Sequence, residues 1–307
     1  MKEIEGRVIA LGFFDGVHLG HASLLEMARK RASELELTPA VMSFDLHPDN
    51  LVAGAKVPLI NSIEDREEIL KRCFGISDVI LAHFDESMMH MPWDTFIEDY
   101  LCRQLGARHL VCGYDFHFGD KGAGNPQRLQ EKCRELGIGC DVLPKVTMDG
   151  VTVSSTYIRQ LLVQGEMQEA MRFLGHPHCL SGEVVHGRQL GRTIGVPTAN
   201  LLIPEGVLTP AFGVYATRVA LPDGTEKLAV TNIGVRPTVG ESTLVTVEPW
   251  ILDFDGDLYG QHIRVDFYHR LRGEKRFDGL SALQQEILAN AQETRALLGL
   301  YKNEKTA

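Results

Sequence analysis

What most constrains this chain is a change of rhythm near residue 182. Before it, short apolar runs alternate with amphipathic stretches; after it, β-rich runs follow one another, separated by Gly, Pro and Asp. The first pattern predicts strands at 7–11, 40–44, 78–82 and 109–112, with a weaker run at 140–143. Helices are predicted at 21–35, 62–73, 92–105 and 126–136. In the first of these Leu24, Leu25, Ala28, Ala32 and Leu35 share a face at helical spacing. Ser62, with Asp65 three residues on, reads as a variant capping box. Strand and helix in alternation imply a parallel sheet covered on both faces, with ligands at the carboxyl ends of its strands.

The second pattern predicts strands at 182–185, 198–203, 214–221, 228–232, 244–252 and 262–271, and one closing helix at 280–298. Pro222-Asp223-Gly224 marks a turn. Along 262–271, Ile263, Val265, Phe267 and Leu271 face one way and Arg264, Asp266, Tyr268 and Arg270 the other. That is the pattern of a half-buried strand in an antiparallel sheet or barrel. A helix at 167–174 precedes the change, so the domains are expected at 1–178 and 179–307, and His176-Pro177-His178 reads as linker.

Composition excludes several classes. With 41 acidic and 31 basic residues the net charge is −10, which argues against nucleic-acid binding through overall positive charge. No apolar run approaches the roughly 20 residues of a membrane span, and the N-terminus reads as a strand, not a signal peptide. Six cysteines without CxxC spacing read as reduced thiols. The expectation is a soluble cytoplasmic protein with no nucleic-acid or membrane partner; weak self-association stays open.

Two constellations carry chemistry. Gly12-Phe13-Phe14-Asp15-Gly16-Val17-His18-Leu19-Gly20-His21 joins the first strand to the first helix. Its glycines let backbone approach a ligand, and the helix N-terminus favours phosphate. Two imidazoles three positions apart can reach one polyphosphate as hydrogen-bond donors or cations. Far along the chain, Ser154-Ser155-Thr156-Tyr157-Ile158-Arg159 opens another helix, either as a phosphate cradle with an arginine clamp or as an ordinary N-cap. In the second half, residues 187–200 are glycine-rich but match neither a Walker A nor a protein-kinase loop. Thr198 and Asn200 alternate with Ala199, so they emerge on one strand face and can share a Mg²⁺; an exposed polar pair is the alternative. Taken alone, Glu248 reads as a solvent-facing strand residue.

The His-x-Gly-His and Ser-Ser-Thr-x-x-Arg stretches resemble the nucleotidylyltransferase superfamily. Over essentially its whole length the chain resembles the bifunctional bacterial riboflavin kinase/FAD synthetase (FMN adenylyltransferase) family. Phe44-Asp45-Leu46-His47-Pro48, the run from Gly113 to Gly119, Pro197-Thr198-Ala199-Asn200, the run from Asn232 to Thr238 and that from Asp253 to Gly260 add to the likeness. The resemblance implies a Rossmann-like α/β nucleotidylyltransferase domain followed by a β-barrel riboflavin kinase domain with a closing helix. It implies two ATP-dependent steps: riboflavin to FMN, then FMN to FAD with release of pyrophosphate.

The resemblance also assigns residues. In the first half His18 and His21 are catalytic, and Gly12, Phe14, Asp15, Gly20, Ser154, Ser155, Thr156 and Arg159 bind ATP. In the second half Glu248 is the base and Gly187, Arg192, Gly195, Pro197 and Asn232 bind ATP, with Thr198 and Asn200 on Mg²⁺ brought by ATP and no tightly bound metal. Flavin contacts fall to Asp45, Asp115, Phe116, Arg236 and Arg272. Departures from the family's usual residues occur at Leu46, His117 and Asn290, and Pro249 after the proposed base implies an edge strand or a bulge. The rivals are an adenylyltransferase for another phosphate acceptor, such as pantetheine phosphate or nicotinate mononucleotide, and a flavin-binding regulator with silent sites.

Overall fold

The computed structural model describes residues 6–47, 56–187, 191, 195–237 and 243–299. The chain forms two compact units, Met1–Leu59 with Arg66–Ser155, and Ile60–Asp65 with Thr156–Ala307. The helices just ahead of the change in rhythm therefore cluster with the second unit, and the expected division at 178 cuts differently from this one.

The first unit is built on five parallel strands, β1 (Arg7–Leu11), β2 (Thr38–Phe44), β3 (Asp78–Ala82), β4 (Ala107–Gly113) and β5 (Gly139–Leu143), in the order β3-β2-β1-β4-β5. Val8, Ile9, Ala10 and Leu11 are all buried, as a strand covered on both faces requires. The order reverses between β1 and β4, so the loops leaving their carboxyl ends border a crevice. Helix α1 (Leu19–Leu35) buries Leu24, Leu25, Ala28 and Ala32 on the predicted face but starts two residues early, because His18 caps it. Helix α2 (Ile63–Phe74) starts behind Ser62, whose Oγ accepts the Asp65 N–H at 3.0 Å. The segment predicted as a helix at 92–105 is instead one short turn, Trp93–Thr95, running into a π-helical stretch, Phe96–Gln104. Helix α3 (Pro126–Leu136) has the predicted bounds, with Asn125 accepting the Arg128 N–H at 2.9 Å and left-handed Gly137 ending it. Strands β6 (Thr147–Met148) and β7 (Val151–Thr152) form a small hairpin.

The second unit contains α4 (Ser155–Gln164, from Thr156 on) and α5 (Met167–Leu174), then strands β8 (His178–Glu183), β9 (Leu201–Leu202), β10 (Gly213–Ala220), β11 (Glu226–Pro237), β12 (Thr243–Ile251) and β13 (His262–Arg272). The strands pair antiparallel in the order β8-β13-β10-β11-β12-β9. Val185 donates to the Asn200 carbonyl at 2.8 Å, which draws the end of β8 to the start of β9 and nearly closes a barrel. Helix α6 (Leu280–Gly299) completes the unit.

Three expectations change here. The strand predicted at 198–203 is only Leu201–Leu202, because Pro197 has no N–H to give, Ala199 donates to Pro249 O at 3.0 Å and the Asn200 carbonyl serves Val185. The polar face of β13 is solvated only toward its end: Arg264 and Asp266 are buried and paired at 3.0 Å, Tyr268 is half-buried and Arg270 is exposed. The stretch read as linker begins strand β8, where His178 is fully buried with neither ring nitrogen partnered among the described residues, its ring tilted against Phe267 at 5.9 Å between centroids.

Burial, aided by the charge of His176, pushes the His178 imidazole down to about 3. The unfolded chain takes up this proton near pH 6.5 while the native state refuses it until about pH 3. The stability that depends on neutral His178 is therefore full above about pH 6.5 and is lost as pH falls toward 3, on the order of 5 kcal/mol in all. His178→Leu should flatten the acid side of the second unit's stability profile in urea unfolding across pH 4–7; superimposable profiles would show that this ring is not the cause.

Candidate active sites

The first cluster forms where β1 gives way to α1. Phe14 (φ 57°) and Val17 (φ 40°) sit in the left-handed region although neither is glycine, and both are fully buried. Such backbone costs on the order of 1–3 kcal/mol per residue and persists only where its surroundings impose it. Asp15, between them, is 1% exposed, and the Ser155 hydroxyl donates to its carbonyl at 2.8 Å. The two distant motifs of the sequence thus meet at one hydrogen bond. That bond also occupies the Ser155 proton, so in this state the hydroxyl is a loop tie and not a free phosphate donor. Thr156 and Arg159 follow on α4, in the second compact unit, and Ser154 precedes it.

His18 is the N-cap of α1, its Nδ1 accepting the His21 N–H at 3.2 Å. An accepting Nδ1 assigns the ring proton to Nε2, leaving that N–H to donate elsewhere. The His21 ring lies parallel to it, 3.7 Å between centroids and 10° between planes. Burial first, then the fields of His18 and Arg66, push the His21 pKa well below its ordinary value. Burial therefore disfavours the charged form of His21, and the two stacked rings are not equivalent cations. Gly20 is what permits the stack: a Cβ there would meet the His18 ring at 3.0 Å. Gly12 continues the sheet, its N–H bonding Met42 O at 3.3 Å.

Around this loop the assigned flavin residues behave unequally. Asp45 ties β2 to β3, one oxygen 2.5 Å from the exposed His83 Nδ1 and the other accepting the Phe84 N–H at 3.0 Å. Burial pushes its pKa up, but those bonds outweigh it and hold the carboxyl below its usual range. Asp115 is exposed at the carboxyl end of β4, whereas Phe116 stacks on Phe118 and packs toward the core. Arg66 went unnoticed in the sequence: it is 1% exposed, and its Nη1 lies 3.1 Å from Phe13 O, 2.9 Å from Ser43 Oγ and 3.0 Å from Phe44 O. On an amphipathic helix a lone arginine reads as a solvated face, and no local pattern marks it as buried.

In the second unit two cavities share Thr198. One, of about 570 Å³, is lined by Pro197, Asp255, Asp257 and Tyr259 among others. The other, of about 470 Å³, is lined by Glu248, Asn232, Trp250, Phe277 and Arg272 together with apolar residues of α6. Asn232 and Glu248 are direct cross-strand partners in β11 and β12, so their side chains share a face. Thr246, two residues before the carboxylate, donates to its Oε1 at 2.9 Å. Pro249 disturbs none of this: the β11–β12 register is unbroken, and its carbonyl accepts from Ala199, so its missing N–H faces away from β11. Neither expectation for Pro249 holds: β12 lies between β11 and β9 and carries no bulge, and the proline is accommodated because β9 pairs only with Thr246 and Val247.

Asn200 is nearly buried, its amide nitrogen 3.5 Å from the Thr198 carbonyl. Gly187 lies against it so closely that a Cβ would fall 2.4 Å from the Asn200 Nδ2. Gly195 is left-handed (φ 73°). Arg272 donates to Asn290 Oδ1 at 3.1 Å, pairs with Glu286 at 3.2 Å and lies over the Phe277 ring. Arg192 and the side chain of Arg236 lie outside the described residues.

Comparison with known proteins finds a separate family model on each half of the chain. A family model described as FAD synthetase matches residues 1–157 and one described as riboflavin kinase matches residues 174–298. A relative from Listeria monocytogenes named bifunctional riboflavin kinase/FMN adenylyltransferase is 34% identical over 292 residues, 94% of this chain and 92% of its own length. One of the same name from Escherichia coli K12 is 37% identical over 300 residues, 97% and 95% of the two chains. A crystal structure titled macrolide-efflux protein from Streptococcus pneumoniae superposes with a TM-score of 0.81 at 31% identity, covering 96% of both chains. Among the described residues here, no helix is long and apolar enough to cross a membrane.

Proposed function

The chain belongs to the bifunctional riboflavin kinase/FMN adenylyltransferase family, and from that premise we propose how its residues divide the work. It phosphorylates riboflavin with ATP to FMN, then adenylylates FMN with ATP to FAD and pyrophosphate. We assign adenylyl transfer to residues 1–178 and phosphorylation to 179–307. What carries the assignment is that His18, His21, Asp15 and Ser155 lie together in one unit, and Thr198, Asn232 and Glu248 line one cavity in the other.

In adenylyl transfer the FMN phosphate attacks the α-phosphorus of ATP in line and no protein nucleophile is needed, so positioning and charge stabilisation do the work. His18 and His21 donate to the triphosphate at the start of α1, where the helix dipole favours the same charge. Gly12, Phe14, Asp15 and Gly20 shape the loop, Ser154, Ser155 and Thr156 extend it, and Arg159 holds the departing phosphates. Asp115 meets the flavin nucleotide at the end of β4, near Phe116 and Asp45.

In the kinase step the apolar cavity beside Glu248 takes riboflavin, with Trp250 and Phe277 as flat walls for the isoalloxazine and Arg272 at the mouth. Glu248 accepts the 5′-hydroxyl proton as the γ-phosphoryl group transfers. ATP approaches from the Pro197 side, and Thr198, which lines both cavities, stands between donor and acceptor. Gly187, Arg192, Gly195 and Asn232 contact the nucleotide, and Arg236 the flavin. Thr198 and Asn200 suit Mg²⁺ brought by ATP: both offer neutral oxygens, and the Asn200 amide nitrogen is turned to the Thr198 carbonyl, which leaves Oδ1 to ligate. When bound there, Mg²⁺ neutralises phosphate charge. We place the enzyme in the cytoplasm, with riboflavin, FMN, FAD and ATP as its small-molecule partners and neither nucleic acid nor membrane among them.

A chromatographic time course with riboflavin, ATP and Mg²⁺ should show FMN rising first and then declining into FAD; no flavin product at all would point to a binding protein. His21→Ala should abolish FAD formation and spare FMN production, and Glu248→Ala should do the reverse while supplied FMN is still adenylylated. Either variant losing both activities while folded would refute separate sites. Gly187→Ala should lower the kinase rate at least about tenfold by displacing Asn200, with adenylylation unchanged; an unaffected kinase rate would remove Asn200 from the metal assignment.

A further inference from the structure

Arg66 is the largest of the fully buried side chains. Only Nη1 of its guanidinium is engaged, shared among the Phe13 carbonyl, the Ser43 hydroxyl and the Phe44 carbonyl at 3.1, 2.9 and 3.0 Å. Nε and Nη2 are sealed from solvent with no hydrogen-bond partner among the described residues. No carboxylate forms an ion pair with it there; the field of buried Asp15 reaches it without a bond. The guanidinium lies over the Phe13 ring, 4.5 Å from its centroid. The Ser43 hydroxyl in turn donates to Phe13 O at 2.7 Å.

A buried guanidinium with two idle donors costs several kcal/mol in a folding sense, and a structural role would be met more cheaply by an apolar residue of similar volume. Its position explains the arrangement. The Phe13 carbonyl it grips begins the Phe14–Val17 turn, and its field reaches the stacked histidine His21. What arrives at that turn is a polyphosphate, whose charge is complemented by a fixed cation already desolvated beneath it.

We propose that Arg66 is a positioning residue of the adenylyl-transfer site, a fixed cation that sets the Phe13–Val17 turn and whose charge is answered by the nucleotide's phosphates. This rests on the assignment of residues 12–21 to adenylyl transfer, which His21→Ala tests separately: if that assignment fails, His21→Ala still makes FAD, whereas if Arg66 alone is misassigned, His21→Ala is inactive and Arg66 variants are not.

The test uses the full-length chain and both of its activities, the kinase serving as internal control. Arg66→Met, which keeps volume and removes charge, should lower kcat/KM for ATP in FAD formation about 100-fold, the scale of losing one fixed electrostatic donor. Arg66→Lys, which keeps charge but not the planar fork, should recover at least about tenfold of that loss. Riboflavin phosphorylation should stay within about twofold in both, and the melting temperature of Arg66→Met should not fall. The proposal is overturned if Arg66→Lys is no better than Arg66→Met, if Arg66→Met makes FAD at near the unsubstituted rate, or if either variant loses both activities together, which would make the residue merely structural.

Discussion

A buried phenylalanine and a buried valine held at positive φ decide what the first unit can do. The turn between β1 and α1 is strained at Phe14 and Val17, and only surrounding structure keeps it so. Ser155 holds it at the Asp15 carbonyl, Arg66 and Ser43 at the Phe13 carbonyl, and the buried side chains lock it from beneath. In return the turn points the N-terminus of α1, with His18 and His21 stacked on it, into the crevice where the strand order reverses. A relaxed turn would aim those donors elsewhere.

The same site meets an electrostatic difficulty. The chain carries a net charge of −10, yet ATP and FMN are polyanions, so long-range attraction is not available for them. Screening confines such fields to roughly 8–10 Å in physiological salt, and binding must come from groups placed at close range. On the proposed assignment the His18 and His21 imidazoles, the dipole end of α1 and the desolvated Arg66 are such groups, and in the kinase unit Arg272, held between Asn290 and Glu286, is proposed for the equivalent short-range part.

The second unit solves a different problem, keeping a carboxylate usable inside a barrel. Glu248 faces Asn232 across an unbroken ladder, and Thr246 orients one of its oxygens. Pro249 is tolerated because its backbone faces the short β9 side, where Ala199 uses its carbonyl and no N–H is asked of it. A proline one residue earlier would face β11 and break the ladder that positions the residue-248 side chain opposite Asn232.

Much was legible in the chain because it was local. Continuous apolar runs named the parallel strands, Asn125 and Gly137 bounded α3, and glycine and histidine at one β–α junction marked the turn proposed to take phosphate. Local pattern reports one face of an element and its ends, but not what will lie on its other face. Hence Arg264 and Asp266 read as solvated and are buried, His178 read as linker and opens a barrel strand, and Arg66 went unmarked and is buried against the Phe13 carbonyl. The strand at 198–203 shrank because its hydrogen-bond partners, Val185 and Pro249, sit on segments brought near only by closing the barrel. Residue types and their spacing determined the chemistry on offer, since hydrogen-bonding and charge belong to the side chain itself. Which groups are buried, neutral or aimed at a substrate was decided by tertiary packing, because desolvation and strain exist only once distant segments meet.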